Sequence, residues 1–219
     1  MKAPSFSDLA ASPAPPLDRL ALAIAAELRP DVDVAGALAA LDALGEELRG
    51  DLGAAAAAPQ DQLAAVVDLL ARRHGFHGAE KDYDHPDRSM LDLVLEQRVG
   101  LPILLSVVYA EVGRRAGVPL AGVGLHGHFV VGHFGGAQPV LADPFHGGRP
   151  VPAVLSAKLA RPWTPHEVAR RMLNNLVGSY FTRMDLGRAI RAAELRLAVA
   201  GGDREALELE LRGMRARLN

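Results

Sequence analysis

Four histidines, His126, His128, His133 and His146, fall within 21 residues of one another, and Asp143 lies among them. Imidazoles and a carboxylate at this density support two kinds of chemistry. Paired with His128, the Asp143 carboxylate raises the basicity of the ring and orients it as a general base. As a metal site, His126 and His128, two residues apart and so on one strand face, join Asp143 as three ligands around a divalent ion with an open position. His133 has the opposite parity and points away. No compact ligand motif such as His-Glu-x-x-His is present, so packed or solvated histidines around a hairpin are the plainer reading. Ser106 is a candidate hydroxyl nucleophile, but that role needs a base and an oxyanion hole, and a bond back to a helix carbonyl is simpler. Phe145 and Trp163 either line a peptide groove or act as packing anchors. The run Asp143-Pro144-Phe145-His146-Gly147-Gly148-Arg149 either offers backbone N-H groups to an anion or makes a tight turn through its glycines.

The chain has 219 residues, no cysteine, and 24 Lys plus Arg against 26 Asp plus Glu, for a net charge of -2. The missing cysteines exclude disulfides, Cys-ligated zinc, iron-sulfur clusters and a thiol nucleophile. Near-neutral charge removes the electrostatic case for nucleic acid or an anionic membrane as partner. No stretch reaches the roughly 18 apolar residues of a membrane span, and Met1 to Pro16 lacks the apolar core of a signal peptide. These features predict a soluble, cytoplasmic protein without a cofactor.

Residues 1–16, rich in Pro, Ala and Ser, are predicted to be a flexible leader, with structure beginning near Leu17. Helical spacing of Leu17, Leu20, Ala21, Ile24 and Leu28, and again of Leu38, Leu41, Leu44 and Leu48, predicts two helices separated at Pro30 to Asp33. Five alanines follow Gly53, then a third helix is predicted from Gln60 to His74. Past a polar loop containing Phe76, Tyr83 and His85, Ser89 with Asp92 reads as a capping box for a helix reaching Arg98. The next helix opens at Pro102, is apolar nearly all round, and ends at Gly117; it should be buried on most sides. From Leu120 the pattern becomes β-like, with strands predicted over Val123 to Phe134 and Pro139 to Asp143 and a turn at Gly135-Gly136. That turn places His128 opposite Asp143, within about 5.5 Å at Cβ. Thr164-Pro165-His166-Glu167 reads as the start of a helix running to Arg183, and two further helices, Leu186 to Ala200 and Arg204 to Leu218, complete a helical tail whose charges mark a solvated face.

His74-Gly75-Phe76, Tyr83, Leu91 to Phe129 and Asp143 to Arg149 together resemble the SirB-type bacterial branch of the transglutaminase-like superfamily. The leading helices resemble that branch's N-terminal part, and Arg171 to Leu176 resembles the start of its tetratricopeptide-like C-terminal part. The resemblance implies a papain-like fold in which active members set a Cys at the start of a buried helix, then a His and an Asp on neighbouring strands. Gly100-Leu101-Pro102 and Gly117-Val118-Pro119 keep the superfamily's separation of motifs, so the resemblance puts Pro102 at the nucleophile position and matches His128 and Asp143 to the other two triad members. The sequence departs from its branch at Leu104, Arg88 and His126, where the branch usually has a small hydroxyl residue, Asn and Pro.

The expectation is therefore an α+β protein: leader 1–16, N-terminal helical segment 17–74, transglutaminase-like core 75–163 and helical tail 164–219. Its predicted role is non-catalytic, the remnant cleft around Pro102, His128 and Asp143 serving as scaffold or as a binding site for an unidentified peptide or protein, with Ser106, Phe145 and Trp163 as candidate binding residues. The rival is a metal-assisted hydrolase using His126, His128 and Asp143, or an unorthodox acyl-transfer catalyst.

Overall fold

The computed structural model describes residues 4–53, 58–152 and 160–217, so most of the five-alanine run lies outside the described residues. The leader departs from expectation. A helix, α1 (Phe6–Ala11), begins at a Ser5–Asp8 capping box and buries Phe6, Leu9 and Ala10. Those residues recur at i, i+3 and i+4, a one-sided apolar stripe that outweighs the surrounding prolines. Helices α2 (Leu17–Leu28) and α3 (Val34–Leu52) follow, α3 capped by Asp33, whose carboxylate accepts from the Gly36 amide. α4 (Pro59–Val67) then widens into a six-residue π turn, Asp68–Arg73. Arg73 and His74 tie that end to α3 through Glu47, at 3.0 and 2.8 Å.

Ser89 does not cap α5 (Leu91–Gln97); the N-cap is Met90, and the buried Ser89 hydroxyl has no hydrogen-bond partner among the described residues. The cap reading fails because a 3-10 turn, Pro86–Ser89, already occupies the residues before the helix. Strands β1 (His77–Gly78) and β2 (Val99–Gly100) form a short parallel pair that leads directly into α6 (Pro102–Arg115). Pro102 takes the first-turn position of α6, where its missing N-H is no loss. Every residue from Pro102 to Gly113 is buried, and α6 lies between α3 and the sheet. Each large apolar side chain sealed in this way contributes roughly 1.5–3 kcal/mol of burial free energy.

The sheet is a four-stranded antiparallel meander, β3 (Leu120–Leu125), β4 (His128–His133), β5 (Val140–Asp143) and β6 (Arg149–Pro150). The run read as one strand is thus two, turning at His126-Gly127 with Leu125 paired to His128; Gly127 has φ 70°, which favours glycine. Gly135-Gly136 is not a two-residue turn either. Val131 pairs with Ala142 and His133 with Val140, two residues away from the expected register, across a longer loop.

The tail consists of α7 (Pro165–Thr182), α8 (Leu186–Ala198) and α9 (Arg204–Ala216). Thr164 and Glu167 make the expected capping box, and Arg161, helped by the Thr164 N-H and hydroxyl, holds the Glu167 carboxyl down to about 2 against the opposing effect of burial. At the far end of α6 a buried charge network joins the N-terminal helices. Arg115 donates to Asp18 at 2.7 Å, Glu111 at 2.8 Å and Asp42 at 2.6 Å, and the Asp18 and Glu111 side chains are only 4% and 5% exposed.

Candidate functional site

The chemistry-bearing residues meet where β4 begins and β5 ends. His128 is the first residue of β4, immediately after the tight turn, and Asp143 the last of β5. His128 Nε2 donates to Asp143 Oδ2 at 2.8 Å. They are diagonal rather than directly opposed, since the pairing runs Val131 to Ala142. A two-residue shift keeps both side chains on the same face, because the side-chain period of a strand is two.

A third group completes the cluster. The backbone after Asp143 enters a 3-10 turn, Pro144–His146, which brings His146 back so that its Nδ1 donates to the same Oδ2 at 2.7 Å. Gly147 and Gly148, at φ 70° and 77°, then reverse the chain into β6. Asp143 Oδ1 is occupied on its other side by the Phe145 amide at 3.0 Å and the His146 amide at 3.4 Å, which fixes the carboxylate in the plane facing both imidazoles. Burial alone would raise the Asp143 carboxyl; the hydrogen bonds from His146 and His128 and the charges of those rings outweigh it and hold the group below its ordinary range. Exposure is graded across the cluster, 13% for Asp143, 30% for His128 and 48% for His146, so its outer side meets solvent.

Aromatic rings frame it. Phe145 stands edge-on to Tyr83 at 5.9 Å, to His128 at 6.4 Å and to His146 at 5.1 Å. Tyr83 is half exposed. Behind the carboxylate, on α6, Tyr109 is fully buried and its hydroxyl has no hydrogen-bond partner among the described residues. Burial, reinforced by the charge of Asp143, pushes that phenol well above its ordinary value, so it stays protonated.

The remaining candidates fall outside this cluster. His126 sits exposed in the β3–β4 turn and is not among the grouped ligand atoms, because the strand breaks where one continuous face was expected. His146 takes its place; the signal in the sequence was the Asp143-x-x-His146 spacing, which a 3-10 turn folds onto one side. His133 points away, buried, with Nε2 on Gln62 Oε1 at 2.8 Å, and burial lowers its pKa. Ser106 is sealed inside α6 and donates to the Pro102 carbonyl at 2.8 Å. Leu101, Pro102 and Leu104 are all buried, so the start of α6 presents a closed apolar surface. Arg88 holds that start from below, its carbonyl accepting from the Leu101 amide at 3.0 Å. Trp163 packs edge-on against Phe129 at 5.2 Å, and its amide donates to the Gly122 carbonyl at 2.9 Å. It anchors the tail to β3 and is remote in role from the imidazole cluster. No helix among the described residues is long and apolar enough to cross a membrane.

Residues 35–175 match the family model described as the transglutaminase-like superfamily. Among curated relatives, a UPF0162 protein of Xylella fastidiosa is 33% identical over 210 residues, covering 88% of this chain and 74% of the relative. A UPF0162 protein of Pseudomonas aeruginosa is 35% identical over 127 residues, 57% of this chain and 45% of the relative. F-box only protein 21 of Mus musculus is 36% identical over 83 residues, 38% of this chain and 13% of that protein. No solved structure matches.

Proposed function

The chain belongs to the transglutaminase-like superfamily, and from that premise we propose that it is a non-catalytic, SirB-type member in which Pro102 stands at the nucleophile position and the remnant site serves as a scaffold for a peptide or protein partner. The observation that carries this reading is the absence of any cysteine from the sequence. Acyl transfer in this superfamily needs a thiolate, and a proline at the nucleophile position offers no proton for an imidazole to accept. Two further features agree. Leu101, Ile103 and Leu104 close the start of α6 with apolar side chains, and Ser106 spends its hydroxyl proton on a helix carbonyl. The His128 ring keeps its bond to Asp143 while Tyr83 and Phe145 add partly exposed aromatic surface next to it, a combination suited to gripping an extended chain.

The test is incorporation of a fluorescent primary amine into a glutamine-containing peptide, together with release of ammonia from the same peptide. Wild type is expected to show no turnover above that of His128→Ala. Turnover that disappears in His128→Ala overturns the non-catalytic reading.

A further inference from the structure

We propose that His128, Asp143 and His146 form a binding site for a first-row divalent transition metal of the zinc type. Their ligand atoms, one from each residue, lie within 4.8 Å of one another. Donors on a tetrahedral zinc ion, with bonds of about 2.0–2.2 Å, stand about 3.4 Å apart. The approach from the present geometry is short. The two bonds to Asp143 Oδ2, now 2.8 and 2.7 Å, open by about 0.6–0.7 Å, and the rings close toward each other. His146, half exposed at the end of a 3-10 turn, has the freedom to make that adjustment.

The donor set selects the ion. Two imidazole nitrogens and one carboxylate oxygen suit zinc and its neighbours, whereas magnesium and calcium require oxygen-rich shells. Three protein ligands on one side leave the solvent side for water or an incoming group. Asp143 is already oriented as a ligand, because its second oxygen is held by the Phe145 and His146 amides, the kind of outer bond that fixes a ligating carboxylate. In the metal-free protein the two ring N-H groups occupy the ion's place. Each ring then shifts its proton to its other nitrogen, His128 to Nδ1 and His146 to Nε2, on binding. A ring that carries a second proton gives it up to solvent as the ion enters.

This assignment is independent of the non-catalytic reading, since its readout is metal content rather than turnover. It departs from the set inferred from sequence by replacing His126 with His146, and that difference supplies the control. Tag-free protein is dialysed against zinc, with bound metal counted by elemental analysis, and titrated with Co2+ while its visible absorption is followed. The expected result is one equivalent per chain, with affinity at least about 10- to 100-fold weaker in His146→Asn and in His128→Asn and unchanged in His126→Ala. His146 is exposed, so His146→Asn keeps the fold, which an unaltered thermal melt verifies. Absence of stoichiometric uptake, uptake indifferent to His146→Asn, or equal affinity for Mg2+ or Ca2+ overturns the assignment.

Discussion

Removing Arg115 tests how firmly α6, the helix beneath the site, is held in place. Arg115→Met keeps much of the side chain's length and packing but withdraws three charged contacts, to Asp18, Glu111 and Asp42. Asp18 and Glu111 are then left facing each other with almost no solvent. Arg114 still reaches Glu111 at 2.9 Å, but its side chain is 58% exposed, so it compensates weakly. Stripping one partner from a buried ion network costs about 3–5 kcal/mol. For a chain of this size that corresponds to a Tm lower by roughly 6–20 °C. The pH dependence carries a sign. Burial, with the charge of Asp18, already raises the Glu111 carboxyl, and the two arginines oppose the shift. Without Arg115 it rises further. A carboxyl raised in the folded state contributes stability that is complete below its unfolded value, near 4.3, and lost as pH climbs through the folded value. The deficit of Arg115→Met against wild type is therefore smallest in acid and grows toward neutrality. Urea melts followed by circular dichroism from pH 4 to 8 measure both quantities. A deficit under about 1 kcal/mol at neutral pH, as a solvated ion pair would give, or one that does not change with pH, refutes the reasoning.

Asp143→Asn keeps the turn but loses the charge that both imidazoles address. Because the Asp143 carboxyl sits below its ordinary value, the stability it contributes is present above about pH 4 and lost as pH falls through the folded value. Wild type should exceed the variant by about 1–3 kcal/mol at neutral pH, and denaturant melts should converge in acid; a constant gap would contradict the assignment. Gly124→Ala places a methyl 2.0 Å from Trp163 Cζ2, so it should cost about 1–3 kcal/mol as overpacking. Trp163 is the single tryptophan, so its emission should shift in the folded variant, and an unchanged spectrum with unchanged stability would show that the ring does not rest on that strand.

Much of the architecture could be read from periodicity. The apolar, all-round pattern after Pro102 identified the buried helix, and Thr164 and Pro102 each marked a true helix start. The sheet was less legible, because Val123 to Phe134 is apolar on both sides of its turn and His126-Gly127 carries no proline or polar cluster to advertise a break. Gly135-Gly136 looked like the better turn, yet the ladder stops at His133 and the chain takes a longer route to Val140. The error left the His128–Asp143 contact intact, since it amounted to two residues, and a shift of one would have put the carboxylate on the opposite face. His146 was harder to place: its position depends on a 3-10 turn, whose geometry is set by Asp143 accepting two amides that no pattern of hydrophobicity reveals. Phe6 and Leu9 were hidden for a different reason, a six-residue helix being too short for periodicity to stand out among prolines.

The π turn at Asp68–Arg73 has a bearing on how chains of this family can differ in length. There the His74 amide reaches back to the Leu69 carbonyl, five residues away rather than four. One additional residue is thus stored in the helix. Deleting a single residue from this turn yields an ordinary helix of the same span, while everything beyond it keeps its orientation; deleting one from the regular part of α4 rotates all that follows by about 100°. A one-residue gap in an alignment of relatives belongs at this turn, where the helix can absorb it without disturbing the contacts of His74 and Phe76 that lead to the site.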